Sequence, residues 1–224
     1  MSKIPSGSYS VMAGRQASVD KLDLFPTPPW ATRALCEHVI EPLGAVWEPA
    51  AGLGHMAEVL REYFPRVYAS DVHDYGVGYK VGSFVGEGAD LAERPFSPDW
   101  VITNPPFSLA LEFVERGIEE ANTGVAMLVR SVWAESATRF DRLFSKRPPA
   151  IIAQFVERVP MVKGRWDPKA STATGYAWFV WSEFESGSTR FVWIPPCRNR
   201  LTKPDDVARF AKLGAAKKPD EVAA

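Results

Sequence analysis

Ala45-Val46-Trp47-Glu48-Pro49-Ala50-Ala51-Gly52-Leu53-Gly54 is a short apolar run that closes on a carboxylate and then on a glycine-containing turn. Beyond the turn, Met56, Val59, Leu60 and Phe64 recur at helical spacing on one face. The stretch therefore reads as strand, glycine turn, helix. The unit repeats outward from it: Val67 to Val72 reads as a second strand and Trp100 to Thr103 as a third, and Ser108 is placed to cap a helix carrying Leu109, Phe113, Val114 and Ile118. Gly124 to Val132 and Ala150 to Val156 read as further strands, with a helical segment around Ser136 to Phe144 between them. Strands alternating with helices predict an α/β fold, a mostly parallel sheet with helices on both faces.

Upstream, Thr27 precedes Pro28 and Pro29, a hydroxyl to cap and a proline for the first helical turn, and Leu35 and Val39 follow at i, i+4 spacing; a helix from about Pro28 to Ile40 is predicted. Residues 1–24 are polar, rich in Gly and Ser and without a period, which suits a flexible arm. Downstream, Tyr176 to Phe184 and Arg190 to Ile194 are aromatic-rich strands separated by Glu-Ser-Gly-Ser, the chemistry of an antiparallel C-terminal hairpin. Packing accounts for Trp178, Trp181 and Trp193 in those strands. A tail, residues 201–224, holds a short helix from Asp205 to Leu213.

With 224 residues, 46% of them hydrophobic, the chain suits one domain, residues 25–200, with small inserts at 133–149 and 160–175. No apolar run approaches the roughly 18 residues that cross a bilayer, and the N-terminus lacks a signal core, so a protein of the cytoplasm with no membrane partner is expected. Cys36 and Cys197 are too few for a disulfide framework or a zinc site, and no metal is expected. The net charge of -1 conceals an asymmetry: residues 1–139 carry 11 Lys and Arg against 18 Asp and Glu, residues 140–224 carry 15 against 9. A basic segment of that kind fits either a phosphate-backbone footprint or ordinary surface.

Gly52 and Gly54 lie where open α/β sheets bind ligands, and they let backbone approach a ligand closely. Asp71, nineteen residues after Gly52, ends the second strand, where a carboxylate accepts both hydroxyls of a ribose. The pyrophosphate fingerprint G-x-G-x-x-G is absent because Ala57 occupies its last position. Glu48 favours a cationic ligand group, an amino or sulfonium centre, over a pyrophosphate.

Asn104-Pro105-Pro106-Phe107 follows the strand Val101-Ile102-Thr103 directly. An exocyclic amine conjugated with a ring is a poor nucleophile, and hydrogen bonds accepted from its protons make its nitrogen more pyramidal. The Asn104 side-chain oxygen and the Pro105 carbonyl are suited to accept them, and prolines offer no competing N–H. Phe107 supplies a flat face for a base removed from its stack. The plainer alternative is a strand-ending turn.

In this order the motifs resemble those of the DNA adenine-N6 methyltransferases that use S-adenosylmethionine. Glu48 to Gly54 looks like motif I, Asp71 like the acid of motif II, Asp90-Leu91 like motif III, and Asn104 to Phe107 like motif IV. Phe25-Pro26-Thr27-Pro28-Pro29 is similar to motif X, and its place ahead of the others is similar to the gamma arrangement. The resemblance covers roughly residues 25–195 and implies a Rossmann-like class I methyltransferase of prokaryotic or phage type. It implies S-adenosylmethionine held by Phe25, Thr27, Pro28, Glu48, Pro49, Ala50, Gly52, Gly54, Asp71, Asp90, Leu91 and Asn104, and catalysis by Asn104, Pro105, Pro106 and Phe107. The implied reaction is base flipping, then direct in-line methyl transfer to adenine N6 in DNA. Related motifs serve enzymes that methylate RNA adenines or protein glutamines, and a binding module that keeps the fold without turnover is a third reading.

The segment Met161 to Ser171 is too long and polar for a simple connection. Lys163, Arg165 and Lys169 are placed to contact phosphates and Trp166 to stack on a base, or else Trp166 folds back into the core. Arg198, Arg200 and Lys203 extend the same basic surface. Unlike in the larger DNA methyltransferases, no separate target-recognition domain is expected, so either short inserts (Trp133 to Pro149 and Pro160 to Gly175) read a brief site, or recognition is relaxed, or another subunit supplies it.

Overall fold

The computed structural model describes residues 23–86, 94–182, 187–210 and 213. Its strands are β1 (Ala45–Glu48), β2 (Arg66–Asp71), β3 (Lys80–Val81), β4 (Trp100–Thr103), β5 (Gly124–Arg130), β6 (Ile151–Phe155), β7 (Tyr176–Ser182) and β8 (Arg190–Ile194). They form one sheet in the order β3-β2-β1-β4-β5-β7-β6-β8. β1 pairs in parallel with both β2 and β4, and β4 with β5. Chain order reverses between β1 and β4, so the carboxyl ends of those two strands flank the crevice where such sheets bind ligands.

Alternation of side chains along the strands divides the core in two. Val46, Ile102, Ala126, Leu128, Trp178 and Val180 face the layer that contains α1 (Pro29–His38) and α2 (His55–Leu60). Trp47, Val101, Val125, Met127, Ala177 and Phe179 face α3 (Ala110–Glu120) on the other side. Helices thus cover both faces, as the sequence pattern predicts. Between β5 and β6 the chain makes a 3-10 turn (Ser131–Ala134), the short α4 (Ala137–Arg139) and a π turn (Phe140–Phe144). After β8 come α5 (Arg198–Leu201) and α6 (Asp206–Phe210).

Four expectations need correction. The two aromatic strands near the C-terminus are not hairpin partners: β6 lies between them, antiparallel to β7 and parallel to β8. The antiparallel element is β7, which also pairs antiparallel with β5. Thr27 does not cap α1, whose N-cap is Pro28 in an extended conformation, leaving the Thr27 hydroxyl one residue too far out. Ser108 is no cap either, because the chain leaves the prolines through a 3-10 turn, Phe107–Leu109, and Leu109 precedes the α-helix. Trp193, moreover, does not pack in the core: it is 65% exposed on β8, at the sheet edge beside Phe191.

Candidate functional site

Beyond the carboxyl end of β1 the chain must turn sharply to enter α2, and it does so with Gly52 at φ 52° and Gly54 at φ 88°, left-handed values that glycine adopts without penalty. A Cβ on Gly54 would stand 2.2 Å from the Tyr79 hydroxyl. The turn is tied to the end of β2: the Gly52 N–H donates to Asp71 Oδ2 at 2.8 Å, and the Ala51 N–H to the Ser70 carbonyl at 3.0 Å. Asp71 Oδ1 accepts from the His73 N–H at 2.9 Å. Both carboxylate oxygens are thereby oriented, each with a lone pair left for a ligand. Burial raises the Asp71 carboxyl above its usual range.

Glu48 is 2% exposed, and its Oε2 is buried with no partner. Burial, and secondarily the charge of Asp71, push its carboxyl well above the ordinary carboxylate range. A cation beside Oε2 would relieve both effects.

Asn104 follows β4 and is held by its amide nitrogen, which donates to the Phe25 carbonyl at 2.9 Å and approaches Met161 Sδ at 3.7 Å. With Nδ2 engaged on that side, Oδ1 is left buried with no partner. Unpaired buried acceptors cost about 1–3 kcal/mol, so this oxygen is one that a ligand N–H satisfies with profit.

These groups border one cavity of about 270 Å³, walled by Phe25, Thr27, Glu48, Pro49, Ala50, Gly52, Asp71, Asn104 and Pro106 among the residues named from sequence. Pro28, Gly54, Pro105 and Phe107 do not line it. Pro28 caps α1 and borders a different groove, beside Trp166 and Pro168, while Gly54 acts by shaping the turn. Asp90 and Leu91 lie outside the described residues. Sequence reasoning missed the apolar wall made by Val72, Phe84, Val85, Leu109 and Phe113, together with Tyr75; His55, directly after the glycine turn, lines the cavity as well. Val72 carried a signal, a 60% exposed apolar residue directly after the strand-ending acid. Burial lowers the His55 imidazole to about 4, so it is neutral at physiological pH.

Phe107 is half-buried at the cavity's rim, its ring centroid 5.4 Å from that of Phe25 and the Arg130 guanidinium 4.3 Å above it. Trp166 is the clearest correction. It is 9% exposed and packs on Val59 and Phe210, its centroid 6.1 Å from the Phe210 ring, so it does not offer a face to a base. Lys163, Arg165 and Lys169 remain at the surface, and the Gly164 N–H pins their loop to the Leu24 carbonyl at 2.8 Å. Arg200 and Lys203 do not extend a basic face, because they pair with Glu37 at 2.6 Å and Glu62 at 2.8 Å, and Arg198 donates to the Pro168 carbonyl at 2.8 Å.

Among the described residues no cluster of three His, Cys, Asp or Glu side chains suits a metal, and no helix is long and apolar enough to cross a membrane.

No family model matches the sequence, and no curated protein matches it either. Solved structures do match. A candidate class I S-adenosylmethionine-dependent methyltransferase from Listeria monocytogenes is similar with a TM-score of 0.51 at 14% identity, over 82% of this chain and 68% of that one. The methyltransferase subunit of a type I restriction-modification system from Streptococcus thermophilus is similar with a TM-score of 0.54 at 10% identity, over 80% of this chain and 49% of that one. The chain thus spans about half the length of the type I subunit. At such identities the likeness is one of fold, and the fold is the Rossmann-like α/β architecture of class I methyltransferases.

Proposed function

We propose that this chain transfers a methyl group from S-adenosylmethionine to the N6 amino group of adenine in DNA, acting on a base flipped out of the duplex. The observation that carries the reading is the Asn104 amide, anchored through Nδ2 with a bare, buried Oδ1 at the rim of a cavity walled by Glu48 and Asp71.

The cavity suits that cofactor in its donor set. Glu48 Oε2 meets a cationic amino group, the oriented Asp71 carboxylate meets the ribose hydroxyls, and Val72, Phe84 and Phe113 offer apolar walls to an adenine ring. Asp90 and Leu91 are assigned to the adenine amino group on the motif resemblance. Bound S-adenosylmethionine supplies an electrophilic methyl group on sulfur, which an amine nitrogen takes by in-line displacement. Asn104 Oδ1 and the Pro105 carbonyl accept hydrogen bonds from the two amine N–H groups, drawing the nitrogen lone pair out of conjugation, and the exposed part of Phe107 supports the base; the sulfur leaves as a neutral thioether and the methylated amine gives up one proton to solvent. Lys163, Arg165 and Lys169 are assigned to phosphate contacts.

Incubation with labelled S-adenosylmethionine and separate DNA, RNA and protein acceptors, read by mass spectrometry of the product, tests this. N6-methyladenine in DNA is the expected product; label confined to RNA adenine or to glutamine amides overturns the DNA assignment. Asn104→Ala is expected to lower transfer by about two to three orders of magnitude, the scale of removing one oriented polar group, with cofactor affinity changed little. Equal loss of both would make Asn104 a structural residue.

A further inference from the structure

Many arginines of this chain are neutralised: Arg61, Arg94, Arg116, Arg142, Arg200 and Arg209 each lie within ion-pair distance of a carboxylate. Arg130 and Arg158 are exposed and, among the described residues, have no carboxylate partner. Both stand on the acceptor side of the site. Arg130 ends β5 with its guanidinium over the Phe107 ring, opposite the buried Tyr176 on β7. Arg158 approaches the same place from the segment after β6.

Next to Arg130 in the chain is Ser131, whose hydroxyl oxygen is buried and has no partner. The Ser131 N–H donates to the Gly175 carbonyl at 2.9 Å, which fixes the residue in place. A Cβ at position 175 would stand 3.0 Å from Ser131 Oγ and 3.2 Å from Arg158 Nη1. Glycine there lets the hydroxyl and the Arg158 guanidinium close on the backbone, where a Cβ would crowd both, and the Arg130 guanidinium lies beside the acceptor loop on Phe107.

We propose that Arg130 and Arg158 form the subsite for the backbone phosphate next to the base presented to Asn104. This rests on the nucleobase reading above. A phosphodiester accepts from both guanidiniums, and two exposed cations with no competing carboxylate suit that anion. Phe107 couples the subsite to catalysis: the ring that supports the base is the ring on which Arg130 rests.

The test is binding of fluorescein-labelled duplex DNA and single-stranded RNA to the full chain by anisotropy, between about 50 and 200 mM salt, the range over which phosphate contacts are screened. Arg158→Gln is expected to weaken binding about three- to tenfold and to reduce the slope of log Kd against log salt by about 0.9 for duplex or 0.7 for single strands, one phosphate contact. Arg158→Lys should retain the slope, Gly175→Ala should mimic Arg158→Gln by displacing the guanidinium, and Arg142→Gln, equal in charge but drawn from an ion pair, should leave the slope unchanged. Cofactor affinity should be the same in every variant. Wild-type affinity and slope in Arg158→Gln and Arg130→Gln overturn the subsite and leave the nucleobase reading standing. Failure of the wild-type chain to bind DNA or RNA, with label passing to protein instead, overturns both.

Discussion

Glu48 holds a carboxyl group where water does not reach, and that has opposite consequences for the free and the liganded protein. Its folded pKa lies well above the ordinary value of 4.5, through burial first and the neighbouring Asp71 charge second. A group so raised stabilises the fold in full below its unfolded pKa, and this contribution is lost as pH rises through the folded value. The free protein should therefore gain or keep stability in Glu48→Gln at neutral pH, measured by thermal unfolding. A cationic ligand reverses the preference, because it needs the ionised form. Affinity for S-adenosylmethionine, measured by calorimetry, should fall as pH drops through that raised pKa, and Glu48→Gln should lose about 1.5–3 kcal/mol, a ten- to hundredfold weakening, the scale of a charge-assisted hydrogen bond. Unchanged affinity would remove Glu48 from the cofactor site. Glu48, Asp71 and Asn104 were legible in the sequence because the first two end strands and the third directly follows one, a local feature that the apolar run before it announces. Trp166 was not, since an aromatic among cations reads alike whether it meets a base or, as here, Phe210 far along the chain.

Strand order depends on burial more than on turns. Two apolar runs separated by Glu-Ser-Gly-Ser carry a hairpin's local signal, yet β7 is buried at Tyr176 through Trp181 whereas β8 exposes Arg190, Phe191 and Trp193. A strand buried on successive residues needs layers on both faces and partners on both edges, which makes β7 internal and leaves β8 at the margin. That contrast is not legible in composition, because Phe191-Val192-Trp193-Ile194 is as apolar as the run in β7, and the turn signal between the two strands points to a hairpin. The glycine turn, by comparison, was read correctly because its geometry is local. Its two glycines should nevertheless differ. Gly54→Ala places a Cβ in a left-handed conformation against the Tyr79 ring, and should cost about 1–2 kcal/mol from the backbone alone, seen as a lowered unfolding midpoint. Gly52→Ala carries the same left-handed backbone penalty, but its Cβ meets only the end of the Leu24 side chain at 2.7 Å, which can rotate, and Leu24 borders the cavity. Its midpoint should fall less than that of Gly54→Ala, and its cofactor affinity should fall more. Equal effects on both readouts in the two variants would mean that the turn has no ligand-facing side.

At the scale of the whole molecule, part of the charge asymmetry along the chain is internal pairing. Arg33, 1% exposed, donates to both oxygens of Asp206, each at 2.7 Å, and to both oxygens of Glu62, at 2.8 and 3.0 Å. Lys203 and Arg209 complete the cluster on Glu62. The basic C-terminal part is thus fastened to the acidic N-terminal part, and α6 brings Phe210 over His55 and Trp166 beside the cavity. Removing one partner of a buried pair costs about 3–5 kcal/mol, so Asp206→Ala should lose stability at the lower end of that range, Glu62 still answering Arg33. The double variant Arg33→Leu/Asp206→Leu should lose less than the single one, since no buried charge is stranded. Acid should undo the arrangement in two stages. Burial depresses the neutral imidazole of His55 to about 4, so the stability it confers is whole above 6.5 and is lost as pH falls through about 4. Hydrogen bonds from Arg33, Lys203 and Arg209 outweigh desolvation and hold Glu62 near 2, so its contribution is whole above 4.5 and is lost as pH falls through about 2. Unfolding midpoints measured against pH should show both limbs: His55→Leu flattens the upper one alone, and Glu62→Gln the lower one alone. If His55→Leu leaves the decline between pH 6.5 and 4 intact, the imidazole is not a buried neutral group, and the contact between α6 and the cavity wall does not hold as described.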